Sequence, residues 1–227
     1  MHATDTQAIS EAVSAILRDI PAGVTLVAAA KSRAAEEVAA AIGAGVKVIG
    51  HNYVQEAERM ILTVGKMVRW HFIGHLQANK AKKAAVLFDM IETIDSMHLA
   101  ETLNRHCAVM RTVMPVLIEV NSGRETSKSG VFPEQLDNLV RQISTLPKLR
   151  VQGLMTMGPR FGDPEDARPY FRATKEAFDR LADMNIPGVE MRTLSMGMSN
   201  SYKVAIEEGA NLIRIGSKIF GERQQRS

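Results

Sequence analysis

Val24-Thr25-Leu26-Val27-Ala28-Ala29-Ala30-Lys31 is an apolar run of strand length that ends in a lysine. Pro21 and Gly23 punctuate its start and a helical pattern follows it, so Lys31 marks the place where a first strand stops. Alternation puts Lys31 on one face with Thr25, Val27 and Ala29, and the three alanines leave room around its stem. An ammonium among apolar groups loses solvation, which favours the free amine, and a free amine condenses with an aldehyde to a Schiff base. The alternative is a lysine that snorkels from a strand end.

The pattern around this run repeats. Ahead of it, residues 6–19 carry Ile9, Val13, Ile16 and Leu17 at helical spacing, and after it Ser32 is a candidate N-cap for a helix to Ile42. Further strand-like runs fall at 46–50, 69–74, 90–93, 114–120, 150–155, 190–194 and 211–215. Helical patterns at 54–64, 79–85, 96–108, 133–143, 166–184 and 201–207 separate them. Eight short strands alternating with helices, without a hairpin signal, predict parallel βαβ units closed into a (β/α)8 TIM barrel, an α/β fold. An open doubly wound sheet would bring a Gly-rich fingerprint after its first strand, and Ala30-Lys31-Ser32-Arg33 has no glycine. The expected organisation is one domain: a helical extension over 1–23, the barrel over 24–221 and a tail over 222–227.

Composition narrows the function. The 227 residues are 45% hydrophobic and 23% charged, ordinary globular material. Lys+Arg 28 against Asp+Glu 25 leaves a net charge of +3, so no nucleic-acid partner is expected, and Lys80, Lys82 and Lys83 read as a solvated helix face. The single cysteine, Cys107, excludes an internal disulfide and suits a reducing cytoplasm; its spacing from Leu99 and Leu103 makes it a packed thiol. No secretory leader or membrane-spanning run is read in the sequence, and a monomer is expected.

In a barrel of this kind the active site lies at the C-terminal strand ends, and phosphate commonly binds at the loops after strands seven and eight. Here those loops are Ser195-Met196-Gly197-Met198-Ser199 and Gly216-Ser217-Lys218. In the first, Gly197 permits close backbone approach and Ser199 is placed to cap the next helix. In the second, amides at a helix start lie beside hydroxyls, a donor set suited to a phosphate dianion. Arg214 shares a strand face with Leu212 and Gly216 and projects toward the mouth, where it either pairs with a carboxylate such as Glu119 or donates to a ligand ring. Asn52 reaches the same rim by alternation from Val46, Val48 and Gly50. His71 and His75 lie in and beyond a strand, so the helical metal-pair geometry is missing and no metal is expected. A lysine, a phosphate cradle and a ring-facing arginine together describe a phosphorylated aromatic aldehyde held as an imine, which is pyridoxal 5′-phosphate.

The motifs carrying these residues resemble those of the pyridoxal phosphate homeostasis proteins, single-domain relatives of the alanine racemase barrel. They are Leu26 to Lys31, Gly50 to Glu56, Trp70 to Gln77, Ser127-Lys128-Ser129-Gly130, Gly153 to Met157, Ser195 to Ser199 and Arg214-Ile215-Gly216-Ser217. The resemblance implies that Lys31 carries the cofactor, that Ser199, Gly216 and Ser217 hold its phosphate, and that Arg214 faces the pyridine nitrogen. Asn52, His71 and Met196, which lie in the same motifs, complete the cofactor-binding candidates. Two departures stand out: His51, at the site mouth, replaces a usual Glu, and Ala30 replaces a common Ser.

Two functions compete. A carrier would hold the reactive aldehyde, limit its free concentration and deliver it to apo-enzymes that use it. A racemase or decarboxylase would use the same group for catalysis, but racemisation needs an acid/base on each face of the carbanion. In related racemases a tyrosine from a second domain is implied for the second face, and none of Tyr53, Tyr170 and Tyr202 matches it. Arginine at the ring nitrogen would also weaken the electron sink, so the carrier is preferred and no catalytic residue is assigned. A nucleic-acid or purely structural partner has only the basic clusters behind it.

Overall fold

Eight parallel strands hydrogen-bond in chain order and close on themselves, the first pairing with the eighth. In this computed structural model residues 3–125, 128–159 and 162–222 are described. The strands are β1 Thr25–Ala29, β2 Val48–His51, β3 Arg69–Phe72, β4 Met90–Ile94, β5 Met114–Val120, β6 Leu149–Thr156, β7 Val189–Ser195 and β8 Leu212–Ile215. Helices α1 Ala3–Asp19, α2 Ala35–Gly43, α3 Val54–Val64, α4 Ala81–Leu87 and α5 Met97–Met110 alternate with the first strands. α6 Pro133–Ser144, α7 Arg168–Asp183, α8 Tyr202–Glu207 and α9 Ser217–Phe220 complete the set. The predicted barrel and N-terminal helix are both present.

Strand alternation produces two apolar layers. Val27, Val48 and Leu212 meet inside the barrel on one side, and Met90, Leu117 and Met155 on the other. Their outward neighbours, among them Ala28, Ile49, Trp70, Ile91 and Ile118, pack beneath the helices in the larger core. Along β6 the register slips between Val151 and Gly153, where Gly153 (φ +145°) lies so close to β7 that a Cβ would come within 1.8 Å of the Thr193 carbonyl oxygen. Only glycine fits that bulge.

α1 buries Ile9, Val13 and Ile16 against the fold and lies beside α2 and α9. Its last residue, Asp19, accepts hydrogen bonds from the Tyr202 hydroxyl and, at 3.1 Å, from Lys203 Nζ. Cys107 is buried as expected, with burial pushing its thiol pKa up. Lys82 and Lys83 are exposed, Lys83 pairing with Glu58 at 2.6 Å, so this cluster is a solvated face. No described helix is long and apolar enough to cross a membrane.

Ser32 is not the cap of α2. It adopts a left-handed φ of 58°, and the helix starts three residues later behind Ala34, whose N–H is taken by Glu37 Oε2 at 2.7 Å. A left-handed residue turns its N–H away from the helix that follows, and here it turns to α3.

Candidate ligand-binding site at the barrel mouth

Lys31 sits two residues beyond β1 on a turn tied to both neighbouring strands' outgoing segments. Ala30 N donates to Gly50 O at 2.9 Å, and Ser32 N to Glu56 Oε2 in the first turn of α3 at 3.1 Å. On the other side Arg33 donates to the carbonyls of Phe220, at 2.7 Å, and Gly221. The apolar surround expected for the amine is not what forms. Lys31 is half-buried, and its Nζ lies 4.8 Å from the centroid of the Tyr53 ring, whose face attracts a cation.

Arg214 is buried inside the barrel, and Glu119, one of the two partners considered for it, does not hydrogen-bond it. The guanidinium donates instead to Ser195 Oγ and, at 2.8 Å, to the Thr156 carbonyl. Ser195 Oγ in turn donates to Glu92 Oε2 at 2.7 Å, and the other Glu92 oxygen accepts from His71 Nδ1 at 2.7 Å. Burial pushes the Glu92 carboxyl up, but the bonds and charges of His71, Arg214 and Ser195 outweigh it and hold the pKa below the ordinary value. Burial likewise lowers the Arg214 pKa, opposed by Glu92 and Glu119. The four side chains come from β3, β4, β7 and β8 and point inward from strand positions of one parity.

The turns after β7 and β8 do come together, with different roles from those expected. Ser199 does not cap α8, since Ser201 occupies that position. Its Oγ instead accepts from Gly216 N at 3.2 Å and Lys218 N at 3.3 Å, so it caps the last helical turn. Gly197 (φ +88°) packs onto α8: a Cβ there would meet Ala205 Cβ at 2.6 Å and Tyr202 Cα at 2.9 Å. Its glycine requirement is therefore met by the helix behind it. Ser217 is exposed beside this cap and Met196 is fully buried. Asn52 is half-buried at the end of β2, where Gly74 comes so close that a Cβ would lie 2.4 Å from the Asn52 carbonyl oxygen.

His51 is not at the mouth. It is 1% exposed, stacked on Trp70 at 5.8 Å between barrel and helices, with neither ring nitrogen nor Trp70 Nε1 hydrogen-bonded among the described residues. The alternation that turns Gly50 inward turns His51 outward. Burial lowers its pKa from the ordinary value to about 4. A depressed pKa gives stability that is present above pH 6.5 and lost as pH falls toward 4. His51→Phe should therefore flatten the acid side of the stability profile, recovering about 2 kcal/mol at pH 5 relative to pH 7.5. Urea midpoints at both pH values measure this, and parallel curves for the two proteins would refute it.

His75 is exposed, 3.1 Å from Ser129 Oγ and 3.8 Å from Asp95 Oδ2, and no metal-binding group of His, Cys, Asp or Glu occurs among the described residues. Ser127 of the fourth motif lies outside the described residues. Sequence reasoning missed Glu92, Ser195 and Tyr53. A carboxylate inside the apolar strand Met90-Ile91-Glu92-Thr93 was the available signal for the first.

The family model of the alanine racemase N-terminal domain matches residues 4–224, the whole of this closed parallel barrel. The alanine racemase of Clostridium difficile 630 shares that fold, with a TM-score of 0.80 at 14% identity over 97% of this chain and 57% of its own. Much nearer is the pyridoxal phosphate homeostasis protein of Aquifex aeolicus, 41% identical over 200 residues, 88% of this chain and 87% of that protein. PipY of Synechococcus elongatus, in a structure with PLP bound, superposes with a TM-score of 0.86 at 30% identity, over 94% of this chain and all of its own. The chain belongs to the pyridoxal phosphate homeostasis protein family.

Proposed function

We propose that this protein binds pyridoxal 5′-phosphate through Lys31 as a Schiff base, keeps its free concentration low, and supplies it to apo-enzymes. We place it as a monomer in the cytoplasm. The observation that carries the reading is the Lys31 turn, anchored on one side to α3 and on the other to α9, which sets an amine at the mouth beside the Ser199–Gly216 turn. The donor set fits the group: an amine for its aldehyde, a guanidinium for its ring nitrogen, amides and hydroxyls for its phosphate. When bound, the cofactor supplies an electrophilic carbon. Ser199, Gly216 and Ser217 hold the phosphate, while Arg214, fixed by Ser195 and Thr156, offers hydrogen bonds to the ring nitrogen and leaves it unprotonated. Asn52 and His71 stand on the β2–β3 side of the site, while Met196, fully buried in the outer core, supports the turn after β7 from behind. The PLP-bound PipY structure and the names of the relatives support this assignment.

Pyridoxal 5′-phosphate should bind at least about a hundredfold better than pyridoxal, since two or more charge-assisted hydrogen bonds at about 1.5–3 kcal/mol each are missing from the latter. Ser199→Ala with Ser217→Ala should narrow the gap. Equal binding by the unmodified protein would place the phosphate elsewhere. A carrier also leaves amino acids unchanged: incubation of the loaded protein with an amino-acid panel should alter neither enantiomer ratio nor carbon dioxide, and either change would favour a catalyst.

A further inference from the structure

The side of the mouth across the barrel from β8 and β1 is acidic. In a ring of eight strands, β4 and β5 stand opposite β8 and β1. Ile94 of β4 pairs in register with Ile118 of β5, and both pack in the outer core, so the next residues, Asp95 and Glu119, are neighbours turned toward the lumen. Leu117, two residues before Glu119, fixes that inward direction by packing with Met90 and Met155. Asp95 is half-buried. Glu119 is 5% exposed, and no hydrogen bond to its carboxyl group occurs among the described residues. A buried carboxylate without a donor is costly, which sets Glu119 apart from Glu92, whose two oxygens are both taken.

We propose that Glu119 and Asp95 form a binding site for a primary ammonium group on the β4–β5 side of the mouth. A primary ammonium brings positive charge and three donors to two adjacent acceptors, whereas a carboxylate or phosphate would be repelled. The cations nearby do not fill this role. Arg214 acts on Glu119 through its charge but makes no hydrogen bond to it, being held by Ser195 and the Thr156 carbonyl, and His71 is committed to Glu92. His75 Nδ1 is 3.8 Å from Asp95 and exposed. The site does not depend on the cofactor, although its use, an amine brought up to the aldehyde on Lys31, rests on the function proposed above.

Small amines and lysine side chains share this chemistry; the cofactor-free full-length protein is titrated with n-propylammonium, n-propanol and Nα-acetyl-lysine amide, followed by NMR. Burial, then Asp95, pushes the Glu119 pKa up to about 7, opposed by Arg214. Saturable binding of n-propylammonium should therefore strengthen about tenfold from pH 6 to pH 8, as the carboxyl group ionises. Binding of the lysine amide as well assigns the site to any accessible primary amine; its failure restricts the site to small amines. Glu119→Gln should weaken binding about tenfold and remove the pH dependence, and Asp95→Asn, at the less buried of the two positions, should weaken it less. Unchanged binding in both variants, no saturable binding by the unmodified protein, or equal binding of n-propanol overturns the proposal. Reductive trapping at Lys31, measured separately, reports on the cofactor alone, so ammonium binding without trapping would sink only the cofactor reading.

Discussion

Lys31→Ala is expected to abolish the covalent adduct that borohydride reduction traps when the protein is mixed with pyridoxal 5′-phosphate. In the unmodified protein the mass increase should fall on the peptide carrying Lys31, and the variant should show none. The other lysines of the quoted motifs and turns are engaged: Lys128 pairs with Glu125, and Lys218 Nζ lies 4.9 Å from the Tyr202 ring and donates to its hydroxyl at 3.3 Å. The fold should survive, because the turn is held by the backbone of Ala30 and Ser32 and by Arg33, with the Tyr53 ring contact of Lys31 contributing no more than about 1 kcal/mol. Peptide mapping decides the matter: an adduct on Lys128 or Lys218 with Lys31 unmodified would overturn the assignment.

Glu92→Gln should lower stability by about 3–5 kcal/mol, the usual result of removing one member of a buried ionic network. Glu92 is fully buried and takes His71 on one oxygen and Ser195 on the other. The amide keeps the shape but loses the charge, and one of its ends donates instead of accepting. Arg214 then faces only Glu119 as a nearby carboxylate. Ser195→Ala removes a neutral link and should cost less, about 1 kcal/mol. Urea unfolding of the two variants provides the comparison, and a Glu92→Gln loss under 1 kcal/mol would mean that the network is not what holds Arg214.

The barrel was legible because its strands are local: each is a short apolar run, and helices α3 Val54–Val64 and α6 Pro133–Ser144 begin at the residues where their patterns begin. Lys31 and Arg214 were legible for a related reason, since a charge that interrupts an apolar run is visible without knowing its partners. The Glu92–Ser195 bond was not, because its ends are 103 residues apart and nothing in either strand names the other. Local cues also misled where a distant element intervened. Ser32 looks like a cap, but Glu56 recruits its N–H; Gly197 looks like a ligand turn, but α8 presses on it. His51 follows a rim-like motif, yet strand parity sends it outward to Trp70.

The Arg33 bonds to Phe220 and Gly221 span 187 and 188 residues. Arg33 therefore clasps the turn after the first strand to the turn after the eighth, two segments that adjoin in space and lie far apart in sequence. Contacts of such long sequence separation form late and slowly. The Lys31 turn therefore reports closure of the whole ring: its local segment can fold early, but its clasp forms only when the eighth strand pairs with the first.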